Sequence, residues 1–179
     1  VTMYDTIKLR LDQDITGIDL LEEVPAYLTK PSYTQFQDGG VSVSGYLENL
    51  RIRVNQNNVK VVGGSIPKYI LGDNIQVLQR SDMQRSIEKL SDELHLPFDQ
   101  ANVTRIDLAT NFVMDYDASN YLKYLGQAQY YKRIPNDNGL YYTNKKRQML
   151  FYEKIKEQED RGLVYPEYYK NKTLLRYEL

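Results

Sequence analysis

Two distant segments of the chain, Arg105-Ile106-Asp107-Leu108 and Arg176-Tyr177-Glu178-Leu179, spell nearly the same pattern. Each sets an arginine and an acid on one face of a strand and apolar residues on the other. Carboxylates aimed at one sheet surface repel unless a cation lies between them. Between the two segments runs Phe151-Tyr152-Glu153-Lys154-Ile155-Lys156-Glu157, which places a lysine two residues and an acid five residues after a tyrosine. Acids, a phenol and an ammonium are the parts needed for metal-assisted attack on a phosphodiester. An ionised Tyr152 oxygen can attack phosphorus and hold the product as a phosphotyrosine. Lys154 can favour the phenolate or neutralise charge on the phosphorane. Asp107, Glu157 and Glu178 are hard oxygen donors suited to Mg²⁺ or Mn²⁺, and the cofactor expected is one of these. The plainer alternative is that each acid pairs with its own arginine and that Tyr152 is an ordinary strand tyrosine.

These residues need strands to present them. Val103–Val113 reads as a strand with Val103, Arg105, Asp107, Ala109 and Asn111 on one face. Gln148–Ile155 reads as another, with Leu150, Tyr152 and Lys154 together, and Thr173–Leu179 as the last. If their apolar faces pack on helices, Asp107 and Glu178 point onto an open sheet surface. Upstream, Tyr4–Leu11 alternates with period two, 41–46 and 50–54 form a hairpin, and Asn55-Gln56-Asn57-Asn58 turns into a strand over 59–64. A short helix is predicted over Asp19–Tyr27, a compact helical turn or loop from Ser65 to Asn74, a strong helix over Asp82–Leu94 capped by Ser81, and a helix from Ser119 to Tyr130. Lys156–Gly162 is polar and reads as a loop or a helix. His95 is expected to cap the end of the strong helix. The pattern is α+β: a central antiparallel sheet with helices packed mainly on one face. One domain is expected over 1–179, with a β-meander part (1–64) and a catalytic part (65–179). The last strand runs to the final residue, which suggests a fragment of a longer protein.

Composition narrows the classes. There are no cysteines and one histidine, which excludes thiolate sites and a His-rich zinc site. The net charge of −1 predicts no partner in bulk, yet from Tyr121 to Arg161 nine basic residues face five acidic ones. The chain holds 17 tyrosines and no tryptophan, with many of the tyrosines in its second half. A basic, tyrosine-rich half suits single-stranded nucleic acid, although tyrosine also furnishes half-buried strands. No signal peptide and no apolar run long enough to span a bilayer are found, so the expectation is a cytoplasmic protein with no membrane partner.

Three blocks in order resemble the replication initiators of the filamentous-phage gene II class and their phage and plasmid relatives. They are Ser65-x-x-Lys68-x-x-x-Gly72-x-Asn74, then Arg105-Ile106-Asp107 after a helix, then Leu150-Phe151-Tyr152-x-Lys154-x-x-Glu157 followed by Leu175-Arg176-Tyr177-Glu178. The resemblance implies a nickase-like fold and an enzyme that nicks and rejoins single-stranded DNA to start rolling-circle replication in a bacterial host. Its tyrosine, falling on Tyr152, would stay joined to the 5′ end and free a 3′ hydroxyl. Asp107, Glu157 and Glu178 fall on acids of the family's blocks. The better-known nickases bind metal through a His-hydrophobe-His motif that is absent from this sequence, so an all-carboxylate set is required. Lys68 and Asn74 are expected to hold DNA backbone, joined by Arg105, Arg176 and the Lys145-Lys146-Arg147 turn. The expected partner is single-stranded or locally melted origin DNA, with a host helicase or polymerase as further partners. Tyr141 and Tyr142 are rival nucleophiles. A non-catalytic DNA-binding domain using Arg51, Arg53, Lys145, Lys146 and Arg147 is the competing reading, and a β-rich interaction domain is a third.

Overall fold

The computed structural model describes residues 2–76, 78–137 and 139–179, and its chain falls into two compact units. One comprises 4–106 and the other 107–179 with Thr2 and Met3. The division lies between Ile106 and Asp107, so the helices that follow the meander stay with it in one unit.

The 4–106 unit begins in strand β1 (Thr2–Asp12), where Ile7, Leu9 and Leu11 are buried while Lys8 and Arg10 face outward. Helices α1 (Gln13–Thr16) and α2 (Leu20–Glu23) follow. Asp19 caps α2 by accepting from the Leu21 and Glu22 amides, and a 3-10 turn over Val24–Tyr27 continues it. Four strands then form a meander: β2 (Thr29–Gln35), β3 (Val41–Leu47), β4 (Leu50–Asn55) and β5 (Asn58–Gly63). Strand β1 pairs antiparallel with β5, so β2 is the edge strand. Helix α3 (Ile66–Leu71) is capped by the Ser65 side chain and closed by Gly72 at φ +84°, a left-handed conformation that glycine adopts without strain. Helix α4 (Arg80–Leu94) is capped at Gln79, not Ser81: Gln79 and Asp82 bond reciprocally in a capping box. Its end is set by His95, whose backbone takes the left-handed conformation and whose N–H bonds Ser91 O, while the ring packs on Tyr27 at 5.0 Å. His95 thus caps with its backbone. Leu90 and Leu94 join Leu9, Leu11, Ile52, Val54, Val59 and Val61 as buried side chains, each worth about 2 kcal/mol of burial. Strand β6 (Asn102–Met114) starts in this unit and continues into the other.

In the 107–179 unit, β6 is followed by α5 (Ala118–Tyr124), which stops six residues short of the predicted end. Strands β7 (Lys132–Asn136), β8 (Gly139–Thr143) and β9 (Gln148–Glu153) come next. Helix α6 (Lys154–Asp160), a 3-10 turn (Glu167–Tyr169) and β10 (Thr173–Glu178) complete the chain. The antiparallel order is β6-β10-β9-β8-β7. On one face, Arg133 donates to the carbonyls of Leu122 and Leu125, and the Tyr142 hydroxyl donates to Gly126 O, which docks α5 there. The other face carries the candidate site. The α+β assignment holds, with few helices on extensive antiparallel sheet. Among the described residues no helix is long and apolar enough to cross a membrane.

Candidate active site

Strand register gathers the site. Arg176 lies opposite Tyr152 on β9 and opposite Asn111 on β6, giving the cross-strand row Asn111–Arg176–Tyr152. Glu178 lies opposite Ala109 and Leu150 in the next row. Asp107 shares this face, two residues before Ala109, and reciprocal bonds between Leu108 and Leu179 carry the pairing to the last residue.

The side chains form a connected set. The Tyr152 hydroxyl donates to Glu178 Oε1 at 2.6 Å. Arg176 Nε donates to the same oxygen at 2.6 Å, and its Nη1 reaches Asn111 Oδ1 at 3.3 Å. Arg176 is fully buried and Glu178 partly so. The predicted strand through Ile155 ends early, because Glu153 turns its carboxylate back onto the amides of Ile155 and Lys156 and caps α6. Lys154 is therefore the first residue of a helix. It is buried, with Nζ 2.7 Å from Glu157 Oε2 and 5.6 Å from the centre of the Tyr152 ring. Glu157 also accepts from Gln158 at 2.8 Å and pairs with Arg161 at 2.8 Å.

This environment sets the proton equilibria. Burial pushes the Tyr152 phenol well above its ordinary value; Arg176 pulls it back, and the Glu178 charge and hydrogen bond push it up again. The phenol is thus protonated at rest, and any nucleophile must be generated by transfer to a base. Burial also draws Lys154 down from the ordinary lysine value, against the stabilising bond to Glu157. For Glu157, burial acts upward but is outweighed by the hydrogen bond and charge of Lys154, so its carboxyl lies below the usual value.

Tyr152, Lys154, Glu157, Glu178 and Arg176 are thus brought together, but in roles the sequence did not define. The open surface expected around Glu178 is instead the site of an ion pair between a partly buried Glu178 and a buried Arg176. Among the described residues no three His, Cys, Asp or Glu side chains are grouped as a metal ion requires. The trio Asp107, Glu157 and Glu178 does not fit a shared divalent ion in this arrangement: Glu178 is held by Arg176, Glu157 by Lys154 and Arg161, and Asp107 is half-buried further along the face. Arg176, expected at DNA, is buried beneath the site. Lys145, Lys146 and Arg147 are exposed at the β8–β9 turn, where Asn144 Oδ1 accepts the amides of Lys146 and Arg147. Lys68 and Arg105 are exposed and Asn74 half-exposed, all three in the 4–106 unit. Of the rival tyrosines, Tyr142 is buried and its hydroxyl is committed to Gly126 O; Tyr141 is half-exposed on the Tyr152 face, opposite Leu150. Asn111 was missed as a site residue. Alternation had already put it on the right face, but only register shows that Arg176 is its neighbour.

Residues 3–179 match the family described as the N-terminal part of the gene II replication-associated protein of phages. The chain belongs to this family. It is the filamentous-phage class of replication initiators whose blocks the sequence carries, and the match takes in both units. No curated protein matches the chain. The family is one of phage replication-associated proteins, and Tyr152, Glu178 and Arg176 lie within the matched region.

Proposed function

We propose that this chain is a rolling-circle replication initiator that nicks and rejoins one DNA strand through Tyr152, on a nickase-like sheet. The observation that carries the reading is the 2.6 Å hydrogen bond from the Tyr152 hydroxyl to Glu178 Oε1, in a member of a phage replication family. The oxygen of Tyr152 attacks phosphorus of a single-stranded phosphodiester while its proton passes to Glu178. The phosphorus–O3′ bond breaks, the 3′ oxygen leaves and takes up a proton, and the 5′ phosphate remains on the tyrosine. Attack of a 3′ hydroxyl on that phosphotyrosine reverses each change and rejoins the strand. Arg176, directly opposite Tyr152 across the strands, shares Glu178 Oε1 with the phenol and offsets the phenolate charge, which is the sense of its effect on Tyr152. Lys154 places a second cation against the ring, fixed by Glu157. Exposed Lys145, Lys146 and Arg147 suit contact with the phosphate backbone of the origin strand.

The test is incubation of the protein with labelled single-stranded origin DNA in buffer containing Mg²⁺ or Mn²⁺. Nicking with a covalent protein–DNA adduct is expected, and Tyr152→Phe should abolish the adduct while leaving DNA affinity nearly unchanged. An adduct that persists in Tyr152→Phe assigns the chemistry to another tyrosine, Tyr141 first. Salt-sensitive binding with no cleavage under any of these conditions favours the non-catalytic DNA-binding reading.

A further inference from the structure

Alternation in the meander sends Ile52, Val54, Val59, Val61, Leu9 and Leu11 into the core, and the intervening residues share the opposite face. There, Arg53 lies directly opposite Lys60, and Lys60 directly opposite Arg10. Three cations thus stand in one row across β4, β5 and β1, spanning about 10 Å at the usual spacing between strands. Lys8 follows on the same face of β1, and Arg51 pairs across to Tyr46, which is 43% exposed. Like charges directly opposite on adjacent strands destabilise a sheet. Asp12 offsets the row at one end, bonding Arg10 at 2.6 Å. Among the described residues Lys8, Arg51, Arg53 and Lys60 take part in no ion pair.

We propose that this face of the 4–106 unit is a single-strand DNA-binding surface, on which the Arg53–Lys60–Arg10 row follows the phosphates and Tyr46 stacks a base. A polyanion relieves the repulsion that the row bears when bare, and an exposed aromatic beside the cations is the pairing that binds unstacked bases. A sheet face several strands wide is too broad for a duplex groove, which admits a helix or a two-stranded ribbon; this favours a single strand. Nothing in this binding requires cleavage.

Anisotropy of a labelled oligothymidine of roughly 16 nucleotides, which contains no origin to cut, measures it on the full chain. Arg53→Ala with Lys60→Ala should weaken binding about tenfold and flatten the slope of log affinity against log salt by about 1.4, two contacts at ~0.7 each. Tyr46→Ala should weaken binding by a similar factor with the slope unchanged. The double variant should melt no lower than the wild type, because it loses a repulsive row; if it melts lower, Arg53→Gln alone carries the test at half the slope change. Unchanged affinity in these variants overturns the proposal. So does a duplex of the same length bound as tightly as the single strand, or oligouridine bound more tightly than oligothymidine. Because the probe is not cleaved, these results stand whether or not Tyr152 forms an adduct.

Discussion

At the residue scale, the site turns on how its charges are paired. Glu178 has two partners on one oxygen, a phenol to be deprotonated and a buried guanidinium. Glu178→Gln should therefore do two things. Adduct formation should slow by about 10²–10⁴, the usual worth of a positioned base, and stability should fall by about 3 kcal/mol because Arg176 is left buried without its carboxylate. Adding Arg176→Met should recover much of that stability without recovering nicking; if nicking returns with stability, Glu178 is structural and the proton goes elsewhere. The same pairing bears on metal. A divalent ion must compete with Arg176 at Glu178 and with Lys154 at Glu157, so calorimetry should find Mn²⁺ binding to the DNA-free protein only in the millimolar range. Micromolar binding lost in Glu178→Gln would show that the acids leave their cations. Of this pairing the sequence offers only Arg176 with Glu178, the plainer alternative for that acid. Alternation puts Arg176 and Glu178 on one side of a strand, but burial and register decide that the arginine is swallowed and that Tyr152 is its neighbour.

At the scale of elements, the strands absent from the sequence reading share a cause. Thr29–Gln35 holds Pro31 and Lys132–Asn136 holds Pro135, and each strand forms the edge of its unit's sheet. Proline removes a ladder donor, which only an edge tolerates, and an edge need not alternate because little of it is buried; β2 is exposed at all seven positions. Central strands such as Leu50–Asn55, buried at every second residue, were legible for the opposite reason. The end of β9 was misjudged because Lys154 continues the apparent alternation, whereas the Glu153 cap starts a helix there. One close approach supports the Tyr152 strand from its other side. At Gly139 an added Cβ would strike the Phe151 carbonyl oxygen and lie 2.9 Å from Tyr152 Cβ. Gly139→Ala should accordingly push β8 from β9, lowering stability by about 3 kcal/mol and cutting nicking more than DNA affinity. A variant with wild-type melting and activity would mean that β8 does not position the tyrosine.

At the scale of the whole molecule, stability should depend on pH in a way the site dictates. The folded-state carboxyl of Glu157 titrates below 4.5, so its contribution is fully present above that pH and is lost as pH falls through the folded value. The raised phenol of Tyr152 contributes fully below 10.0 and loses its share as pH climbs past that point. Lys154, drawn down from 10.5, acts in the opposite alkaline sense, since its penalty fades as pH rises toward the ordinary value. Urea unfolding at a series of acid pH values should therefore show a shallower loss of stability in Glu157→Gln than in the wild type; parallel curves would mean that the Lys154–Glu157 pair is not what acid breaks. The tip of the β8–β9 hairpin carries one more consequence. Asn144 fixes its backbone while Lys145, Lys146 and Arg147 stay exposed, so trypsin should cut there early in limited digestion. A strand of nucleic acid lying across the tip would mask those peptide bonds, and the lifetime of the uncut chain then becomes a simple footprint of occupancy.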